Sequence, residues 1–381
     1  MKSRRLYFID AMRSFAILMM LQGHFIGLSY KNFYLDINQI KTLGSSGSFL
    51  FDSWYFMKGY TAPLFFFVTG LIFTFLLLRE ESLGKLKIRI KKGLNRSLEL
   101  LIYGYLLQLS LFNFLEIFAS KPKWIFAFHV LQCIGLGLIL IILIFRFQKI
   151  IKFIPLGWLF LLSGIFIFSL YGIFHSQPEL LTGLEHVPEI IQNIIDGPNS
   201  VFPIFPWMGF IFFGAAAGFW VYHNRFQIFS FKFSLIILFV SIFLIFCNPY
   251  IYRFMIYIEK TTSLNLFKSA WMYERLGHVL FSMFIFMRLE KLYRTYLGKF
   301  FVKIGQKTLF IYTWHVIVLY GGIFGLGLNQ IIKQKLSIEE SIIGAVIFII
   351  FFLFFSIYSH FFDDIKLKFL SSLKKIFRFR F

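Results

Sequence analysis

Residues 61–78, TAPLFFFVTGLIFTFLLL, form an unbroken run of 18 residues without an ionisable side chain. A helix needs about 20 mostly apolar residues to cross the hydrocarbon core of a bilayer, so this run predicts a membrane span. Runs of this kind recur along the whole chain. Because lipid offers no partner to backbone N–H and C=O groups, each run is expected to be a helix. The predicted spans are residues 7–29, 61–78, 99–118, 124–146, 153–174, 201–222, 229–247, 270–288, 308–328 and 341–360.

The composition supports the same class of protein. Of 381 residues, 58% are hydrophobic, 22% aromatic and only 15% charged, whereas about 25% of the residues of a soluble domain are charged. Soluble, disordered and disulfide-rich secreted proteins are therefore excluded. The two cysteines, Cys133 and Cys247, have no metal-binding spacing, and we expect no metal site. We predict an all-α, polytopic transmembrane helix bundle over residues 1–365, followed by a basic cytoplasmic tail over residues 366–381.

The basic residues predict the orientation of the bundle. The net charge of +21 in a soluble protein would suggest a nucleic-acid partner, but cytoplasmic loops of membrane proteins also collect Lys and Arg. With the N-terminus inside, the predicted inner segments hold 27 Lys and Arg and the outer segments hold ten. The outer segment 175–200 has neither residue. This asymmetry favours two cytoplasmic termini and no nucleic-acid partner.

Ionisable groups inside the spans are the candidate functional residues, because they are costly in lipid. In the first span Asp10 and Arg13 are three residues apart and can pair on one helix face. His24 returns to within about 20° of the face of Arg13, about 16 Å further along the axis. A structural ion pair with a hydrogen-bonded core histidine would explain the same spacing. The other ionisable groups in spans are Glu116, His129, Glu274, Arg275, His278 and His315.

Several stretches resemble known membrane enzymes. Residues 8–24, FIDAMRSFAILMMLQGH, are similar to the opening of acyltransferase-3-type membrane acyltransferases, with Asp, then Arg three residues later, then His after ten intervening residues. The wider chain resembles heparan-α-glucosaminide N-acetyltransferase-like proteins and their bacterial relatives. The stretches that carry this resemblance are TAPLFFFVTG (61–70), FHVLQCIGLG (128–137), NSVFPIFPWMGFIFFGAAAG (199–218) and IGQKTLFIYTWHVIVLYG (304–321).

The resemblance implies an integral enzyme of a bacterial cytoplasmic membrane, surrounded by membrane lipids. It would move an acyl group, usually acetyl, from cytoplasmic acyl-CoA to a hydroxyl or amine of an extracytoplasmic glycan or lipid-linked acceptor. His24 would be the general base or an acyl-carrying nucleophile. The implied supporting residues are Asp10, Arg13 and His315; those that contact acyl-CoA are Arg13, Lys91, Lys92 and Arg96; those on the acceptor side are His129, Asn199 and Arg275.

Other interpretations of these features stay open at this stage. The positive-inside rule alone would produce the basic stretch that contains Lys91, Lys92 and Arg96. A transporter or flippase also combines many spans with buried charges, although no matching pair of Gly/Pro-broken helices is visible in two halves of the chain. A non-catalytic scaffold would not need a charged face on its first span. Oligomeric state and acceptor identity are not predicted.

Overall fold

The fold is entirely helical, as predicted. The computed structural model describes residues 6–109, 123–177, 179, 186–197, 199–262 and 264–358. Within these ranges the chain forms fifteen α-helices and no β-strand. They are α1 (Tyr7–Ser29), α2 (Phe33–Leu43), α3 (Phe49–Ser82), α4 (Leu86–Leu106), α5 (Val130–Ile151), α6 (Leu156–Ser176), α7 (Glu189–Ile195), α8 (Ile204–His223), α9 (Phe231–Phe246), α10 (Asn248–Thr262), α11 (Ala270–Arg288), α12 (Tyr296–Gln306), α13 (Thr308–Tyr320), α14 (Asn329–Ile332) and α15 (Ile338–Ile357).

Six of these helices are long and apolar enough to cross a membrane: α1, α3, α5, α6, α8 and α15. Two bent pairs, α9 with α10 at 62° and α12 with α13 at 67°, raise the number to eight if each pair is one span. The ten spans and the cytoplasmic termini stay predictions. Part of the predicted span 99–118, with Glu116, and the predicted tail lie outside the described residues.

The centre of the bundle is a close contact between α3 and α8. A Cβ atom added to Gly214 would collide with the backbone oxygen of Phe67, and one added to Gly70 would collide with that of Ile211. The two backbones therefore approach each other at positions that only glycine permits. Packing of this kind is common where helices associate inside a membrane.

The N-terminal half of α1 is fixed by residues that lie almost 300 positions later. The backbone N–H of Phe8 donates to Glu290 Oε2 at 2.8 Å. The Ser14 hydroxyl donates to the carbonyl of Phe301 at 2.6 Å and accepts the N–H of Gly305 at 2.8 Å. These bonds use polar groups that water would otherwise have to satisfy. They lock α1 against the α11–α12 connection and α12.

The start of α1 lies at the same end of the bundle as the end of α3, the start of α4 and the end of α5. At this end Lys149 Nζ of α5 pairs with Glu81 Oε1 of α3 at 2.6 Å. We call it the basic end, because the Lys- and Arg-rich first turns of α4 lie there. His24 lies in the opposite half of α1.

Candidate active site along the first helix

Asp10 and Arg13 form the ion pair that their spacing predicts. Arg13 Nη1 lies 3.6 Å from Asp10 Oδ1, and Arg13 Nη2 donates to Thr308 Oγ1 at 2.9 Å. Asp10 is only 7% exposed. Thr308 is the first residue of α13, directly after the bend at Lys307. The bend thus places the buried Thr308 hydroxyl next to the Arg13 guanidinium, and this hydrogen bond fixes the orientation of the guanidinium.

Arg13 lines a cavity of about 310 Å³ together with two further arginines, Arg89 and Arg96 of α4. We call it the arginine cavity. Arg89 and Arg96 are seven residues apart, so they share one face of α4 to within about 20°. The Arg89 guanidinium lies 4.9 Å from the centre of the Phe73 ring. Its Nε is buried and has no hydrogen-bond partner among the described residues.

The charges around the arginine cavity favour an anion. Asp10 offsets part of the charge of Arg13, and Glu99 Oε2 accepts from Arg96 Nη1 at 2.8 Å. The described structure gives Arg89 no carboxylate at salt-bridge distance. A guanidinium that is partly desolvated and stacked on an aromatic ring binds phosphate oxygens well, because its N–H groups match them in geometry and charge.

A pair of histidines, His24 of α1 and His315 of α13, lies further along the bundle. The rings of His24 and His315 have centroids 5.1 Å apart, and His24 Nδ1 is 3.0 Å from the Tyr320 hydroxyl. Because Tyr320 occupies Nδ1, Nε2 is the nitrogen of His24 that remains for a substrate. His315 is fully buried, and neither of its ring nitrogens is hydrogen-bonded within the described part of the chain.

Tyr312 connects the two parts of the site. It lines the arginine cavity, and its ring centroid lies 5.0 Å from that of His315, one turn later on α13. Arg13 and His24 are eleven residues apart on α1, about 16 Å along the axis. The structure therefore arranges the arginine cavity, a tyrosine and a histidine pair in sequence between α1 and α13.

The family model of the heparan-alpha-glucosaminide N-acetyltransferase catalytic domain matches residues 5–247, well over half of the chain. The chain belongs to this family. No curated protein and no solved structure matches it. Membership confirms the resemblance drawn from the sequence and supports a membrane acetyltransferase as its activity.

The family match contains one side of the site. Asp10, Arg13, His24 and both α4 arginines lie within it, whereas α13 lies beyond its end. The family region thus supplies the charged face of α1 and the arginines. The C-terminal third supplies Thr308, Tyr312, His315 and Tyr320.

The residues predicted to contact acyl-CoA do not all lie at one site in the structure. Arg13 and Arg96 line the arginine cavity, and Arg89, which sequence reasoning missed, joins them. Lys91 lies about 160° around α4 from Arg89, since two residues turn a helix by about 200°, and it lines a different groove. Lys92 is exposed. The sequence feature that could have identified Arg89 is its seven-residue spacing from Arg96, which puts both residues on one face of a helix.

The predicted acceptor-side residues lie in two places. His129 directly precedes α5, and exposed Asn199 lies in the connection before α8. These segments meet where the N–H of Phe128 donates to Ser200 Oγ at 2.8 Å. Arg275 of α11 instead lies over the Phe56 ring of α3, 5.7 Å from its centre.

Lys58 is a further cation, which the sequence analysis did not name as a candidate site residue. It precedes the predicted span 61–78, and in the structure it lies half-buried in the first part of α3, which begins at Phe49. Its Nζ is 4.6 Å from the centre of the Phe33 ring, and a Cβ added to Gly27 would lie 4.0 Å from it. Because Gly27 follows His24 by one turn, Lys58 is a cation close to the histidine pair.

Proposed function

We propose that the protein transfers an acyl group, acetyl in the first instance, from acyl-CoA to a hydroxyl or amine acceptor. One observation carries the proposal: the arginine cavity and the histidine pair lie next to each other and share Tyr312. An anion site of this kind suits the phosphates of CoA. A histidine about 16 Å further along the same helix suits the chemistry at the far end of an extended thioester.

Arg13, Arg89 and Arg96 hold the phosphate groups of the donor. Asp10 and Thr308 fix the Arg13 guanidinium from two sides, so little conformational entropy is lost when it engages an anion. The pantetheine arm extends past Tyr312 toward His315. With the basic end in the cytoplasm, as the positive-inside rule favours, this route leads from cytoplasmic acyl-CoA to an acceptor on the opposite side.

His24 manages the proton that the acceptor must lose. As the acceptor oxygen or nitrogen attacks the thioester carbonyl carbon, its proton passes to His24 Nε2. The C–S bond then breaks, and the departing CoA sulfur takes that proton from the imidazolium. Tyr320 holds Nδ1 and fixes the ring orientation throughout. In a two-step alternative, Nε2 itself attacks the thioester and CoA leaves as the thiolate. The acceptor then attacks the acyl-imidazole, the C–N bond to His24 breaks, and the acceptor proton passes through the released imidazole to the CoA thiolate.

The acceptor is a sugar hydroxyl or amine of an extracytoplasmic glycan or lipid-linked saccharide. His129 and Asn199 lie in the connections before α5 and α8, where such a group could be contacted, and Lys58 of α3 and Arg275 of α11 add positive charge. His129 and Asn199 lie in connections between helices, and this position suits a substrate that arrives from water.

The test is the release of free CoA by purified protein supplied with acetyl-CoA and a panel of sugars and amino sugars. CoA release that depends on an acceptor, with one acetyl group transferred per CoA released, supports the proposal. Movement of an acceptor across proteoliposomes without CoA release would instead establish the transporter. In the absence of acceptor, an acetyl adduct on the peptide that contains His24 would distinguish the two-step route from direct transfer.

A further inference from the structure

A second basic site lies at the basic end, outside the arginine cavity. It is a groove of about 450 Å³ between the first turns of α4 and the last turns of α5. We call it the lysine groove. Its cations are Lys87 and Lys91 of α4 with Arg146 and Lys149 of α5, and its floor includes Ile90 and Phe145.

The lysine groove opens away from the arginine cavity. Lys87 and Lys91 each lie two residues from Arg89, so both project about 160° away from it around α4. A donor molecule in the arginine cavity is therefore separated from the groove by the body of α4. A molecule bound in the lysine groove would therefore be distinct from a donor in the arginine cavity.

Apolar side chains continue the same face of α4 toward the middle of the bundle. Leu98 and Ile102 lie within about 20° of the direction of Lys91, roughly 10 and 16 Å further along the helix. They are 58% and 49% exposed, and Leu94 at 43% lies between them and the lysines. One outward face thus begins with cations and continues with hydrocarbon.

Among the described residues, only one of the four cations of the groove pairs with a carboxylate. Lys149 pairs with Glu81 at 2.6 Å, which fixes one wall. Lys87, Lys91 and Arg146 make no ion pair with a carboxylate in the described part of the chain. Three such cations beside an apolar floor complement a phosphate group joined to hydrocarbon chains.

We propose that the lysine groove binds an anionic phospholipid of the leaflet at the basic end. The phosphate contacts Lys87, Lys91 and Arg146, and an acyl chain runs along Leu94, Leu98 and Ile102. Basic pockets between transmembrane helices bind anionic headgroups by this charge complementarity. The proposal does not depend on acyl transfer, since it uses no residue of the arginine cavity or the histidine pair.

The experiment measures lipid retention by the full-length protein. Protein extracted in mild detergent is exchanged into nanodiscs or micelles with phosphatidylglycerol or phosphatidylcholine, and bound lipid is counted by native mass spectrometry. Wild-type protein should retain phosphatidylglycerol selectively. The triple variant K87Q/K91Q/R146Q should bind it roughly 10²-fold more weakly, because each basic residue near an anionic membrane surface contributes about a factor of five.

The matched control is K85Q/K92Q/K303Q, which removes the same charge from exposed positions at this end, outside the groove. It should retain phosphatidylglycerol as the wild type does. Equal loss in both variants would show general surface attraction and overturn the site. On the unmodified protein, inorganic phosphate at millimolar concentration should not displace the lipid. Displacement, or equal retention of phosphatidylcholine, would also overturn the proposal.

Discussion

Replacing His24 by asparagine should abolish turnover while leaving the fold intact. The asparagine amide can keep the contact with the Tyr320 hydroxyl, which now lies 3.0 Å from Nδ1, but it has no equivalent of Nε2. The variant therefore loses the proton acceptor without losing the hydrogen bond. A positioned general base contributes about 10²–10⁴ in rate, so kcat should fall by at least ~10²-fold.

The matched variant is Tyr320→Phe, which keeps Nε2 and removes only its orienting partner. One neutral hydrogen bond contributes about 0.5–1.5 kcal/mol, so the rate should fall by roughly 2- to 10-fold. CoA release by purified variants is measured with thermal stability recorded alongside. Near-normal turnover by the His24→Asn protein would refute the catalytic assignment, as would a Tyr320→Phe loss as large as that of His24→Asn.

Three further outcomes follow from other contacts. Arg89→Gln should raise KM for acetyl-CoA and leave kcat nearly unchanged, whereas Lys92→Gln should alter neither; equal shifts in KM would contradict the cavity assignment. Arg13→Ala removes the guanidinium from buried Asp10 and should lower Tm, while a double change that also replaces Asp10 by Asn should recover Tm but not activity. Burial raises the pKa of Glu290, so stability should decline as pH rises through the range between its ordinary and raised values. Glu290→Gln keeps a hydrogen-bond acceptor and should flatten that decline in Tm against pH; an unchanged slope would exclude this carboxyl as its source.

The sequence predicted the class of fold and the local geometry of α1. Hydropathy identifies helices in lipid because backbone groups there have no alternative partner. The Asp10–Arg13 pair followed from helical spacing alone, and their ion pair is present. Such predictions work because they involve residues that one helix already holds together.

Local sequence patterns do not predict which residues of different helices come into contact. Nothing in the local pattern of α1 indicates that His24 lies beside His315 and Tyr320, almost 300 residues later. The helices that adjoin two predicted spans were also not predicted: α10 follows the span 229–247 after a bend of 62°, and α12 precedes the span 308–328 with a bend of 67°. Lys58 was not among the candidate residues, because it precedes the predicted span 61–78, and nothing in the sequence indicates that its Nζ lies over the Phe33 ring.

The partners of α1 have a consequence for how the protein is made. This helix is synthesised well before the groups that contact it, which lie almost 300 positions later: Glu290, Phe301, Gly305, Thr308 and Tyr320. Until those segments insert, α1 lies in the membrane without the interhelical hydrogen bonds of Arg13, Ser14 and His24. The candidate site is therefore complete only after α13 has inserted, and a chain that stopped after residue 247 would contain the region that the family model matches but would lack Thr308, Tyr312, His315 and Tyr320.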